Sequence, residues 1–206
     1  MRDLGILLDS ELTMVDHITQ LCQSCFFQLR RIRTIRRSLS TRSMLTLTHS
    51  FICNRIDFCN SILHGVSLVQ LDRLQSILNA SARVVLNIRK FDHISAAIRD
   101  QLHWLPVRLR PVYKLCMLTR NCVLGVAPVY LQELCPLVSA TAGRQQLRSA
   151  CRSDLVIPRC RTVRYGQRGF SVCGPCLWNS LPMDIRSSIN TLELFKKKLK
   201  TYLFTK

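Results

Sequence analysis

Between Asp16 and Asp57 the chain carries seven arginines and not one carboxylate, yet its apolar residues keep helical spacing. Ile18, Leu21, Cys22, Cys25, Phe26, Leu29 and Ile32 recur three and four apart, which is the pattern of one apolar helix face. Thr13 and Asp16 fit a capping box at its start. Arg30, Arg31, Arg33, Arg36 and Arg37 crowd its end. Positive charge there suits the helix dipole, but five arginines exceed what the dipole needs. They read either as a phosphate-facing cluster or as a solvated helix end.

The rest of the chain continues in the same manner. Ser40 is placed to cap a second helical stretch running to about His64, with Gly65 as its stop and Met44, Leu45, Leu47, Phe51, Ile52, Ile56, Cys59, Ile62 and Leu63 on it. Ser67 and Gln70 fit another capping box, before a helix whose stripe is Leu71, Leu74, Ile77, Leu78, Val84 and Val85. Asp92 fits as the cap of a short helix ending near Leu102. Pro106 disfavours helix at Leu105, and Pro111 must fall in the first turn of the following helix, which Gly125 stops. A short helix covers "PVYLQEL". After Pro136 the sequence turns rich in Arg, Ser and Gly, with "DLVIP" and "RTVRY" as a pair of short strands. The last element is an amphipathic helix capped by Asn190 and Glu193, with Leu192, Phe195, Leu199 and Leu203 inward and Lys196, Lys197, Lys198 and Lys200 mostly outward. "LGILLD", Leu4 to Asp9, reads as a strand whose pairing partner is expected upstream. The expected fold class is therefore mainly α, with a break near residue 137.

Charge and cysteine narrow the function. The 206 residues have a formal net charge of +18 and a pI of about 10.1. Such an excess repels itself unless an anion is near, nucleic acid first and an anionic membrane surface second. The N-terminus lacks the basic start and long apolar core of a signal peptide, and Arg120 interrupts the longest apolar run. An intracellular protein of nucleus or cytoplasm, not secreted and with no membrane partner, is the expectation. Its eleven cysteines then read as reduced, mostly buried apolar residues.

Two Cys-x-x-C pairs, Cys22/Cys25 and Cys173/Cys176, test that reading. The second is Cys-Gly-Pro-Cys, the tetrapeptide of thioredoxin-like oxidoreductases. Such a site needs a preceding strand and a long following helix whose N-terminus lowers the thiol pKa. Here "GQRGFSV" has little strand character, and Pro182 cuts any helix short. A shared zinc site would need four tetrahedral ligands, but the first pair lies mid-helix on the apolar face and no adjacent His completes either. The five histidines are scattered, and no hydrolase or phosphate-loop motif occurs. No cofactor and no metal are expected.

Several stretches occur in a specific order: "LGILLD", "RIDFCNSILHG", "LQSILNASARVV", "FDHI", "LHWLPV", "APVYLQEL", "LRSA", "GQRGFSVCGPCLWNSLP" and "FKKKLKTYLF". In this series the chain resembles the C-terminal part of the reverse transcriptase polyprotein of jockey-type non-LTR retrotransposons, the long interspersed elements. The resemblance covers nearly the whole chain. It implies a residual palm strand at 1–12, a helical thumb-like domain at 13–137 and a small basic α+β region at 138–206 that ends in the amphipathic helix. It implies that palm and fingers, with the catalytic aspartates, have no counterpart here. It also implies structural roles for Trp104 and Pro106, and for the box Pro175 to Pro182, where Trp178 packs and Asn179 closes a local turn. Pro111 departs from a segment the family keeps helical.

The leading functional expectation is a non-catalytic part of an RNA-directed DNA polymerase, holding the template–primer RNA and DNA by phosphate contacts that read no sequence. Arg30, Arg31, Arg33, Arg36 and Arg37 are the first candidates, with Arg144, Arg148, Arg152, Arg159, Arg161 and Arg164 second. Tyr165 and Phe170 lie among the latter and read either as stacking platforms for unpaired bases or as core. The missing palm and fingers of the parent polymerase would be a further partner. The alternatives are a protein-interaction module using apolar surface near "LGILLD", and a decayed element with no function.

Overall fold

The computed structural model describes residues 1–143, 145–162, 165–186 and 191–205. These are mainly helical, and they form two compact units, Met1–Arg110 and Pro111–Lys206. The seams expected after residues 12 and 137 do not coincide with this division. Asn190, expected to cap the last helix, lies outside the described residues.

The first unit opens on an antiparallel hairpin, β1 (Arg2–Asp3) and β2 (Ile6–Leu7), paired Arg2 with Leu7 and Asp3 with Ile6. The partner of "LGILLD" is thus the residues immediately before it, not an upstream strand. Leu4 (φ +45) and Gly5 (φ +87) make the two-residue turn, and both take the left-handed conformation that tight hairpins require. Asp9 then organises the entry to the first helix. Its carboxylate accepts from the backbone N–H of Thr13 (2.7 Å), Met14 (2.7 Å) and Glu11 (3.1 Å) and from the Thr13 hydroxyl (2.9 Å). The Thr13 backbone bond foremost, with the others, holds the Asp9 pKa below the ordinary carboxylate value. The expected capping box gives way to this clamp, and Met14 (φ +64) occupies the cap position.

Helix α1 (Val15–Thr34) buries Ile18, Cys22, Cys25, Leu29 and Ile32, while Phe26 is exposed and Leu21 only half-buried. Helix α2 (Thr41–Thr48) begins at Ser40, whose hydroxyl accepts from the Ser43 N–H as expected. It runs through a π-helical turn (His49–Cys53) into α3 (Asn54–Asp57). There the expected continuation to His64 fails: Phe58 is extended, Cys59 is left-handed at φ +50, and Asn60–Leu63 form a 3-10 turn. Helix α4 (Leu68–Leu86) packs along α1 and α2 and buries all six residues of its expected stripe. Ser67 is its cap residue, but its side chain makes no capping bond, and Gln70 instead accepts from Arg73 (2.9 Å). Ile94, not Asp92, precedes α5 (Ser95–Asp100).

The end of this unit is tied back to its middle. The Trp104 indole is buried and meets the His49 ring edge-on at 5.4 Å. After Pro106, the Val107 N–H donates to the Gln75 side chain of α4 (2.8 Å). Arg110 turns inward, donating from Nε to the Leu105 carbonyl (2.9 Å) and from Nη1 to both Asp57 oxygens (2.9 Å each). The Arg110 side chain is 10% exposed and that of Asp57 43%.

The second unit holds the remainder of α6 (Arg110–Val123), with Pro111 in its first turn and Gly125 after its end. Next come α7 (Val129–Gln132), α8 (Arg148–Cys151), α9 (Phe170–Asn179), α10 (Met183–Arg186) and α11 (Leu192–Phe204). The expected strand pair is seen only in part. Leu155 of "DLVIP" bridges Leu137, flanked by the Val138 N–H on the Asp154 carbonyl and the Val156 N–H on the Pro136 carbonyl (2.9 Å each). Of "RTVRY", Val163 and Arg164 lie outside the described residues. Phe195, Leu199 and Leu203 of α11 are buried as expected. Leu192 is exposed, and Thr191 caps the helix through the Leu194 N–H. Phe195 takes Trp178 on one side (ring centroids 6.1 Å apart) and the Arg120 guanidinium over its ring (5.1 Å).

Asp154 is buried between two arginines, Arg186 (2.6 Å) and Arg152 (2.8 Å). Burial works against its charge, but the hydrogen bonds from Arg186 and Arg152 prevail and hold its pKa below the ordinary value.

Two stability measurements follow. Asp57→Ala leaves the Arg110 guanidinium buried without its anion and is expected to cost about 2 kcal/mol in urea unfolding. Arg99→Ala, which breaks a pair exposed on both sides, should cost no more than about 0.5 kcal/mol. Equal losses would place no weight on the Arg110 contact. A carboxylate with a depressed folded pKa stabilises above its unfolded pKa, and that contribution is lost as pH falls through the folded value. Asp154→Asn is therefore expected to lower stability at neutral pH and to flatten the fall of stability below about pH 4. Thermal melts across an acid pH series read both effects.

Candidate nucleic-acid interface

The end of α1 and the turn after it bring the first arginine cluster to the surface. Arg30, Arg31, Arg33 and Arg37 are exposed. Among the described residues none of these four makes an ion pair. Arg30 reaches back along its helix to the Phe26 carbonyl (3.4 Å), and the Arg31 guanidinium lies over the Phe27 ring, 5.8 Å from its centre. Phe27 is four residues before Arg31, so helical spacing alone brings the two together.

Arg36 departs from its expected role. It donates from Nε to the Val84 carbonyl (2.9 Å), from Nη2 to the Val85 carbonyl and from Nη1 to the Leu39 carbonyl (3.3 Å each). These include carbonyls at the end of α4 that have no helical partner, so this arginine serves as a cap supplied from another element. The sequence gives no sign of it, because the two ends meet only when α1 and α4 pack.

The second cluster is only partly gathered. Arg148, Arg159 and Arg161 are exposed, and Arg144 and Arg164 lie outside the described residues. Arg152 is exposed, but its guanidinium is committed to Asp154. Tyr165 is 41% exposed. Phe170 is half-buried and lies on its own helix against Gly174, which accords with packing.

Two aromatics belong with the first cluster that sequence periodicity assigns elsewhere or leaves out. Phe51 is 43% exposed although it falls in the apolar series expected from Ser40 to His64, because the π-helical turn rotates it off the buried face. Phe27, outside the stripe of α1, is 53% exposed. An exposed aromatic four residues from an arginine was the available signal.

The Cys-Gly-Pro-Cys segment sits inside α9. Cys173 is buried, and burial pushes its thiol up to about 11. A redox nucleophile needs the opposite shift. A Cβ on Gly174 would come within 3.0 Å of the Thr119 hydroxyl and 3.1 Å of the Phe170 ring, so the glycine permits close approach of α6 to α9. Pro175 and Trp178 are buried, and Pro182 follows the helix end. Asn179 does not close a local turn. Its amide exchanges two bonds with Leu155, accepting from the N–H (2.8 Å) and donating to the carbonyl (2.9 Å). Cys22 and Cys25 are both buried on α1. Among the described residues no three or more His, Cys, Asp or Glu side chains are grouped as metal ligands, and no helix is long and apolar enough to cross a membrane.

No family model, curated protein or solved structure matches this chain.

The burial of the thiols sets their order of reaction. With iodoacetamide near pH 8, Cys151, Cys160 and Cys176, all exposed, should be modified first. Cys25, Cys53 and Cys173, each raised by burial to about 11, and Cys135, raised to about 12, should stay unmodified until the chain unfolds. Peptide mass spectrometry checks this, and fast native alkylation of Cys173 would contradict the geometry.

Proposed function

We propose that this chain binds nucleic acid through the phosphate backbone without reading sequence. In this reading it corresponds to the thumb and post-thumb part of a non-LTR retrotransposon reverse transcriptase of the jockey type, and carries no polymerase chemistry itself. One observation carries the binding: Arg30, Arg31, Arg33 and Arg37 stand exposed at one end of α1, with no ion pair among the described residues and in a stretch devoid of carboxylates. Such a surface holds its charges at full strength for an anion, and a nucleic-acid backbone supplies anions at regular spacing. The basic second unit, with fifteen Lys and Arg against four Asp and Glu, adds a long-range attraction of the same sign. The ordered series of motifs supports the polymerase assignment. The thumb-like identity of the first unit and the α+β character of the basic C-terminal region belong to the same proposal.

A second reading, a protein-interaction module, draws on Met1 and Leu4, which are 89% and 81% exposed at the hairpin. The two readings part on salt. Phosphate binding by four contacts should weaken about a hundredfold between about 50 and about 200 mM salt, whereas apolar association should not weaken. Duplex DNA, duplex RNA and RNA–DNA hybrid should compete similarly. Arg33→Ala and Arg37→Ala should each weaken binding alike for unrelated sequences and reduce the salt slope by about 1. Affinity that ignores salt in a fluorescence-anisotropy titration would refute the phosphate reading.

A further inference from the structure

Between the C-terminal half of α1 and the turn that ends α2 runs a groove of about 530 Å³. Ile32, Ile35, Leu47 and Phe51 form its apolar lining, and Arg30 and Arg31 border it. Ile35 is 46% exposed and Phe51 43%. The occupant must therefore offer an apolar face and, beside it, negative charge for two guanidinium groups. The face of an unpaired base next to its own phosphate has this composition. In a duplex the base faces are stacked away, leaving only the phosphates to bind.

We infer that this groove seats an unpaired nucleobase of a single strand, with Phe51 as the stacking platform and Arg30 and Arg31 on the adjoining phosphates. The inference rests on the nucleic-acid reading above and adds to it a distinction between strands that carry bases and strands that do not. Aromatic rings give each stacked base a substantial and sequence-tolerant gain. The Arg31 guanidinium already lies over the Phe27 ring, and an arginine held against an aromatic loses less freedom when it takes up a phosphate. An acidic amphipathic peptide would also satisfy the charge, but only a nucleic-acid strand repeats a flat ring beside each negative charge.

The test uses the full chain, a labelled oligothymidylate, and an abasic strand of the same length and phosphate number. The base-bearing strand should bind about tenfold more tightly, the effect of one or a few stacked bases. Phe51→Leu should remove that difference while leaving affinity for the abasic strand unchanged. Phe51→Tyr should keep it, and unchanged thermal melts of both variants show that the fold stands. Arg30→Ala with Arg31→Ala should weaken both strands. Equal binding of the two strands by the unmodified chain overturns the stacking inference and leaves backbone binding in place. Binding of neither strand overturns the nucleic-acid reading itself. A Glu-rich amphipathic peptide that displaces the oligothymidylate, and loses its own binding in Phe51→Leu, assigns the groove to protein and overturns the base.

Discussion

A guanidinium taken out of water calls for protein acceptors, and this chain uses that demand to fix its fold. Arg110 gathers the Leu105 carbonyl and the Asp57 carboxylate, which joins the end of the first unit to the break after α3. Arg36 fastens the turn after α1 to the last carbonyls of α4. Arg186 meets Asp154 with both side chains almost wholly buried. Apart from the local Arg110–Leu105 bond, each contact joins segments far apart in sequence, and each fails if the positive partner becomes a shorter or neutral residue. The acidic members are few, twelve against thirty basic residues, so the choice of which arginines fold inward is tightly constrained. Arg30, Arg31, Arg33 and Arg37, which make no ion pair among the described residues, remain outside.

That division sets the character of the surface. The exposed end of α1 is positive because the segment around it contains nothing to neutralise it; of the two phenylalanines beside it, Phe27 lies off the buried stripe of α1 and Phe51 is uncovered where the chain leaves its regular helical path. Phe51 illustrates the second point. The π-helical turn at His49–Cys53 adds a residue to the local repeat, and side chains beyond it change face. Ile52 and Cys53 turn into the core while Phe51 looks outward.

Much of the helical layout was legible because periodicity and punctuation agree. The stripe of α4, the cap at Ser40, the stop at Gly125 and the inward Phe195, Leu199 and Leu203 all follow from spacing. What escaped were contacts made by polar side chains across sequence distance. Thr13 and Asp16 match a capping box, but Asp9 lies close enough to take the Thr13 N–H, together with those of Glu11 and Met14. Ser67 and Gln70 match another, but Gln70 is drawn to Arg73. Apolar spacing carries the helix on to His64 because spacing is blind to the extended Phe58 and left-handed Cys59. Of the candidate site, the exposure of Arg30, Arg31, Arg33 and Arg37 was readable from their crowding, whereas the inward turn of Arg36 depends on the packing of α4. The commitment of Arg152 to Asp154 is local in sequence, but the burial that gives it weight comes from Arg186.

The Asn179–Leu155 contact sets one side chain in the place of a neighbouring strand, its amide matching a peptide group atom for atom. Such mimicry depends on a single nitrogen. If the side-chain amide is hydrolysed to a carboxylate, the outline hardly changes and the bond from the Leu155 N–H survives. The other position then sets an oxygen against the Leu155 carbonyl, and an attraction becomes a repulsion. Slow chemical ageing at this one amide would thus loosen the segment beside the buried Asp154 without altering the chain's length or breaking its backbone.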